Sequence, residues 1–394
     1  MTAKSWVLTD RSKGIWVEEL ELTAEDLGCA GASVRKRVLR GGLSDGVDVI
    51  EVDNGQFSFT ILPTRGMGIW RGRYRGLDIG WQSPISGGPV HPGFVNLQDR
   101  GGLGWLTGFD ELIVRCGLDS NGAPSTDVVA DNMGNPSEVE VTLHGRIANI
   151  PANRVEIQLL PGDPPTIAVL GEVDEAALFY PGFRLSTCIS TDVGANAISI
   201  DDSVTNLKGT EAEFELLYHC NFGPPFLQQG TVLKLPARLI APRDARAVEG
   251  IDTYAEYLGP TAGYIEQAYW YEPLAAPDGA TLALLRTAEG DRGVVVRYNT
   301  DQLPCFTQWK NTAAMEDGYV TGLEPGTDYP NAKSFERAQG RLRRLAPGAS
   351  HEVGLRLEVH DNAAGVQAIE AEITEIQHQT GLEVHRQPLP RLSG

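Results

Sequence analysis

Val47-Asp-Val-Ile-Glu-Val-Asp-Asn-Gly-Gln-Phe-Ser-Phe-Thr-Ile-Leu62 decides the fold class. Phe57, Phe59 and Ile61 alternate with polar residues, and Asp53-Asn54-Gly55 separates them from a second apolar run, Val47–Val52. Period two on either side of an Asn-Gly turn predicts a β-hairpin. Outward from it the same alternation recurs: Val139, Val141 and Leu143; Phe214, Leu216 and Tyr218; and Val353, Leu355, Leu357 and Val359 each share one parity. Arg154–Leu160, Thr166–Val173, Leu233–Ile240, Ala280–Arg286 and Gly293–Tyr298 also read as strands, divided by turns such as Pro161-Gly-Asp-Pro-Pro165. With 45 Gly and 24 Pro to punctuate it, the chain predicts many short strands. No alternating strand–helix rhythm appears, so a parallel sheet is disfavoured. One clear helix is expected over Asp361–Gln379, where Val366, Ile369, Ile373 and Ile376 fall three and four apart before Gly381. Leu22–Leu27 suggests a shorter one. The class is all-β.

The chain has 394 residues and a net charge of −19, a field that repels phosphate backbones and anionic membranes, so neither nucleic acid nor a membrane is an expected partner. Its five cysteines are scattered, odd in number and never in a C-x-x-C pair, which suits a reduced cytoplasmic protein with no disulfide framework and no structural zinc. No apolar run is long enough for a membrane helix. The pattern divides the chain into an N-terminal extension, 1–45, packed on a main domain, 46–394. A homo-oligomer is compatible with this reading but not required by it.

Gly80–Pro136 has little periodicity and much glycine, including Trp81-Gln-Ser-Pro84 and Arg100-Gly-Gly-Leu-Gly-Trp105. Long irregular segments in a compact domain are usually functional loops or lids. Asp110-Glu111, the one acidic pair there, reads as a solvated face. Phosphate-loop, zinc-protease, serine-hydrolase and strand-linked dinucleotide motifs are all absent.

Three ionisable residues stand out. His144 and His219 each end a patterned strand on the parity opposite to its apolar residues, so each faces away from the apolar side. A histidine so placed can give or take a proton near neutrality. Glu324, in Gly322-Leu-Glu-Pro-Gly-Thr-Asp-Tyr-Pro-Asn331, reads as a carboxylate on a loop stiffened by Pro and Gly. Arg65, in Leu62-Pro-Thr-Arg-Gly-Met-Gly68, is a candidate contact for a hydroxyl or carboxylate, and Trp309 and Lys310 are candidates to line a pocket, the indole face suiting a pyranose.

Taken together, Leu143-His144-Gly145, Tyr218-His219-Cys-Asn221-Phe222 and Leu323-Glu324-Pro325 with Tyr329-Pro330-Asn331 resemble, in order, motifs of aldose 1-epimerases (galactose mutarotases). With Leu-Pro-Thr-Arg-Gly-Met before them, they are closer still to the branch called DUF4432, over roughly residues 45–360. The resemblance implies a galactose mutarotase-like antiparallel β-supersandwich with few helices, a small-molecule carbohydrate as ligand, and neither metal nor organic cofactor. It implies an isomerase in which His219 is the acid, Glu324 the base, and His144 binds or polarises the sugar, with Arg65, Arg146 and Glu266 as further contacts. The chain departs from mutarotases in Cys220-Asn-Phe222 after the second histidine and in Gly-Arg after the first. A lyase or isomerase of an oxidised or charged sugar, and a non-catalytic carbohydrate-binding protein, are the competing readings.

Overall fold

In the computed structural model, which describes residues 3–85, 87–378 and 380–394, the opening hairpin forms as expected. Strands Asp48–Asp53 and Phe57–Leu62 pair antiparallel with Val52 opposite Phe59 and Ile50 opposite Ile61. The turn does more than reverse the chain. Asn54 is buried, and its side-chain amide donates to Thr191 Oγ1 (2.7 Å) and to the carbonyls of Asp192 and Ala195, while its Oδ1 accepts from the amides of Gln56 and Phe57.

Residues 191–195 lie at a turn of a different sheet, so Asn54 ties two layers together. One sheet has ten strands and the other fourteen, and the pairing within both is antiparallel apart from a short parallel pair at one margin of the larger. Alternate residues from both fill one continuous core: Phe59, Ile61, Phe214, Leu216, Tyr218 and Leu323 from the larger sheet, and Ile157, Val169, Leu185, Ile200 and Leu355 from the smaller. The molecule is therefore an all-β sandwich of two large antiparallel sheets, as expected.

Residues before 46 contribute to both layers. Lys4–Asp10 pairs with Arg154–Leu160 in the ten-stranded sheet, and Ser33–Val38 pairs with Asp48–Asp53 in the larger one. Two expected strands are corrected. Leu233–Ile240 is not one strand: Val232–Lys234 and Ala237–Pro242 belong to different sheets, divided at Pro236, which has no N–H for a ladder. The alternation near Val139 belongs to Pro136–Val141, which pairs only with Ser125–Ala130 as a separate two-stranded hairpin, so its apolar side does not enter the main core.

The helix runs Ala363–Gln377, capped by Asn362 Oδ1 accepting from the Gly365 amide. Val366, Ile369, Ile373 and Ile376 pack on Leu282, Leu284 and Val295, whose neighbours Ala283, Leu285 and Val294 and Val296 turn into the main core. The helix thus covers the outer face of the ten-stranded sheet. Its expected end at Gln379 lies outside the described residues. The short helix forms over Ala24–Leu27.

Candidate functional site

The site is built on the outer face of the fourteen-stranded sheet. Strand Ala212–Phe222 sends Phe214, Leu216 and Tyr218 into the core, which turns Leu217, His219 and Asn221 the other way. The strand runs through His219 rather than ending at it. Glu324, expected on a loop, lies inside strand Val320–Gly326 and is only 2% exposed. Leu217 pairs with Gly326 and Cys220 with Leu323, a register that sets His219 opposite Glu324. On the other side Thr307 pairs with Glu324 and Trp309 with Gly322.

His219 Nε2 stands 3.2 Å from Glu324 Oε1, yet the two are not aligned as a hydrogen bond, so each keeps a free direction toward a third group. Gly322 makes this approach possible: a Cβ there would lie 2.3 Å from Glu324 Oε1 and 2.9 Å from His219 Cε1.

Asn221 fixes the imidazole. Its Nδ2 donates to the carbonyls of Glu111 (2.9 Å) and His219 (3.0 Å), which leaves Oδ1 to face His219 Nδ1 at 2.5 Å. An amide oxygen only accepts, so Nδ1 carries the hydrogen and Nε2 is the atom offered toward Glu324. Burial, joined by the neighbouring His144, pushes His219 well below 6.5; the bond to Asn221 opposes this. Burial and then the charge of Glu266 push Glu324 well above 4.5, with Arg243 opposing. Both shifts favour the uncharged forms, a neutral imidazole and a protonated carboxyl.

His144 is reached from another direction. It sits in a turn at φ +56°, its ring 5.4 Å from that of His219, and its Nδ1 donates to the Asn121 carbonyl at 2.8 Å. Burial lowers it to about 4. Its Nε2 is therefore also an acceptor at neutral pH. Aromatic rings enclose the pair of histidines: Trp105 is 4.6 Å from His144, Phe109 is 5.1 Å and Trp309 5.4 Å from His219, and Trp81 packs on Phe109. Glu266 joins at the open side, 45% exposed at its side chain, accepting from Trp309 Nε1 (2.6 Å) and Arg243 (3.0 Å). Trp105 Nε1, Thr307 Oγ1 and Glu324 Oε1 are buried there without a hydrogen-bond partner.

His144, His219, Glu324, Trp309 and Glu266 thus come together, and three expected contacts do not. Arg65 is buried: its guanidinium donates to Glu111 Oε1 (2.6 Å), the Val90 and Gly108 carbonyls and Asn149 Oδ1, so it fastens the segment that covers the site. The same contact corrects Asp110-Glu111, which is buried and not a solvated face; burial and the adjacent Glu111 raise Asp110 to about 7. Lys310 points opposite to Trp309 and caps the carbonyls of Thr253, Tyr254 and Glu256. Arg146 is exposed and lines a separate cleft of about 590 Å³ with Val139, Val141 and Tyr180. Trp105 and Asn221 stand in quoted motifs without a role, and Phe109, Arg243 and Thr307 carry no signal in the sequence. Gly80–Pro136 reads as functional loops, but its composition does not reveal which side chains turn inward.

Among solved structures the chain is similar to a protein of Klebsiella pneumoniae subsp. pneumoniae MGH 78578 that carries the provisional name aldose 1-epimerase. The two are 34% identical over 98% of this chain and 99% of that one, with a TM-score of 0.92. A galactose mutarotase-like protein of Clostridium acetobutylicum (16% identity, 83% and 98% covered, TM-score 0.56) and a provisionally named aldose 1-epimerase of Escherichia coli K12 (14%, 80% and 99%, 0.53) share the fold. No protein of curated function matches the chain. The family model described as a domain of unknown function, DUF4432, matches residues 44–359, and the chain belongs to that family.

Proposed function

We propose that this protein is an isomerase of the aldose 1-epimerase type, interconverting the anomers of a sugar by proton transfer between the substrate and the His219–Glu324 pair, without a cofactor. The supporting observation is the pair itself: an acid and a base directly opposed across two strands, 3.2 Å apart but aimed past one another, inside an aromatic enclosure. Nearby buried polar atoms without partners favour a ligand rich in hydroxyls, since such groups are costly to leave unpaired.

The chemistry needs one group to protonate the ring oxygen while another takes the anomeric hydroxyl proton. Because the shifts favour the uncharged form of each group, we assign the two roles in the order opposite to the sequence expectation. Glu324 carries the proton and gives it to the ring oxygen as the bond from that oxygen to the anomeric carbon breaks. His219 Nε2 takes the proton from the anomeric hydroxyl as the open-chain carbonyl forms. After the carbonyl turns over, both protons return and the ring closes on its other face. His144 Nε2 accepts from a sugar hydroxyl, and the half-exposed Trp309 face, with Glu266 beside it, marks the side on which the sugar enters.

The test is polarimetry of freshly dissolved aldoses. Addition of the protein should speed the decay of rotation for at least one sugar, and a broad panel without acceleration sinks the proposal. Glu324→Gln should lower kcat by about 10²–10⁴-fold and leave binding of the same sugar nearly unchanged. Full activity in that variant would instead remove Glu324 from the mechanism.

A further inference from the structure

Four residues along lies a second opposed pair. Asp328 follows the end of strand Val320–Gly326, and the Thr327 amide donates to the Leu216 carbonyl, which carries the same register on to set Glu215 against Asp328. Both carboxyls are buried, 0% and 1% exposed. Both reach the same residue, Asn121, which brings them together, and two carboxyls sharing one buried site favour keeping one proton between them. The oxygens with no other partner, Glu215 Oε1 and Asp328 Oδ2, are the two left for that proton.

The remaining oxygens grip one residue. Glu215 Oε2 accepts from the Asn121 amide (3.1 Å) and Asp328 Oδ1 from Asn121 Nδ2 (2.8 Å), while the Asn121 carbonyl accepts from His144 Nδ1 (2.8 Å). We infer that the Glu215–Asp328 pair, by sharing one proton, positions His144 through Asn121. These are positioning residues, since neither reaches the enclosure around His219. With its proton, the pair is a single hydrogen-bonded unit bearing one negative charge. Without it, two like charges meet in a buried space and the grip on Asn121 opens.

The surrounding charges are consistent with a held proton. Lys333 attracts Glu215, but its Nζ is bound to Asp119 (2.7 Å), and Glu336, itself bonded to Arg341 and Asn331, repels both members of the pair. Cys305, buried and neutral, completes the set near Asp328. Burial raises both carboxyls above their ordinary values, and at Asp328 the charge of Glu215 adds to it, so loss of the shared proton is sought above the ordinary carboxylate range.

The inference rests on the proposed function only in that His144 belongs to the proposed site, and its test needs no turnover. Imidazole ¹⁵N signals of His144, identified by their loss in His144→Gln, are followed in the full chain from neutral to about pH 10. In the wild type they should hold steady near neutrality and shift at alkaline pH. Asp328→Asn, whose amide can donate to Glu215 and accept from Asn121, should keep the neutral positions and lose the alkaline shift. Asp328→Ala should displace the signals at every pH. A wild type flat throughout, an alkaline shift that survives in Asp328→Asn, or unmoved signals in Asp328→Ala would each overturn the inference. Failure of every sugar in polarimetry would overturn the proposed reaction and leave this result standing.

Discussion

Gly322 has ordinary backbone geometry, so its requirement is one of space alone: the atom an alanine would add collides with both His219 and Glu324. Displacing either by about 1 Å costs on the order of 10²-fold in rate, so Gly322→Ala should lower kcat by about that factor while far-ultraviolet circular dichroism stays unchanged. The pair also sets the pH behaviour. His219 must be neutral and Glu324 protonated, and their shifts move the acid limit below 6.5 and the alkaline limit above 4.5. Activity should therefore not fall on acidification through pH 6.5, and kcat/KM measured from about pH 5 to 9 checks this. The same shift bears on stability. A carboxyl whose folded pKa is raised binds a proton that the unfolded chain has released above 4.5, so wild-type stability declines as pH rises from there toward the folded pKa. Glutamine has no proton to lose. The Tm difference between Glu324→Gln and wild type should grow in favour of the variant between pH 4.5 and 8 in thermal melts. At this scale the sequence was partly legible. Parity alone turned His219 away from the core, because strand geometry allows two sides only. It did not reveal that Asn221 holds the imidazole or that rings from distant loops bury it.

Strands and helices were the most legible level. Arg154–Leu160 and Ala280–Arg286 form with the boundaries read from alternation, because each has one face in the core. Glu324 was misread because Gly322, Pro325 and Gly326 look like a turn. Each has a different cause in the strand: Gly322 makes room for the pair, and Pro325 lacks an N–H just where pairing with the His219 strand lapses, between Cys220–Leu323 and Leu217–Gly326. The C-terminal helix was visible because its four apolar residues share one face. Ile373→Ala should cost about 2–5 kcal/mol in urea unfolding. The helix lies on the far layer, so kcat measured well below the Tm should not change.

Across the whole molecule, the two layers are joined by polar ties as well as by the core. Arg115, on the strand beside that of His219, is paired with Asp202 of the ten-stranded sheet, and Tyr218 donates to the same carboxylate at 2.6 Å. Both Arg115 and Asp202 are buried, so removing one partner strands a charge. Asp202→Ala should destabilise by about 3–5 kcal/mol, read as a large fall in Tm. Such ties were not legible in the sequence, since Arg115 and Asp202 lie far apart in the chain and carry no pattern. The aromatic enclosure has an optical consequence. Two of the seven tryptophans crowd the imidazoles, Trp105 edge-on to His144 and Trp309 edge-on to His219, and Trp81 packs on Phe109 beside them. The wall around His219 and His144 is made in part of the chain's own fluorophores. A sugar sliding in beside Trp309, or a proton arriving on either ring, should change the colour and brightness of their emission, so the protein can report its own occupancy in a cuvette without a label.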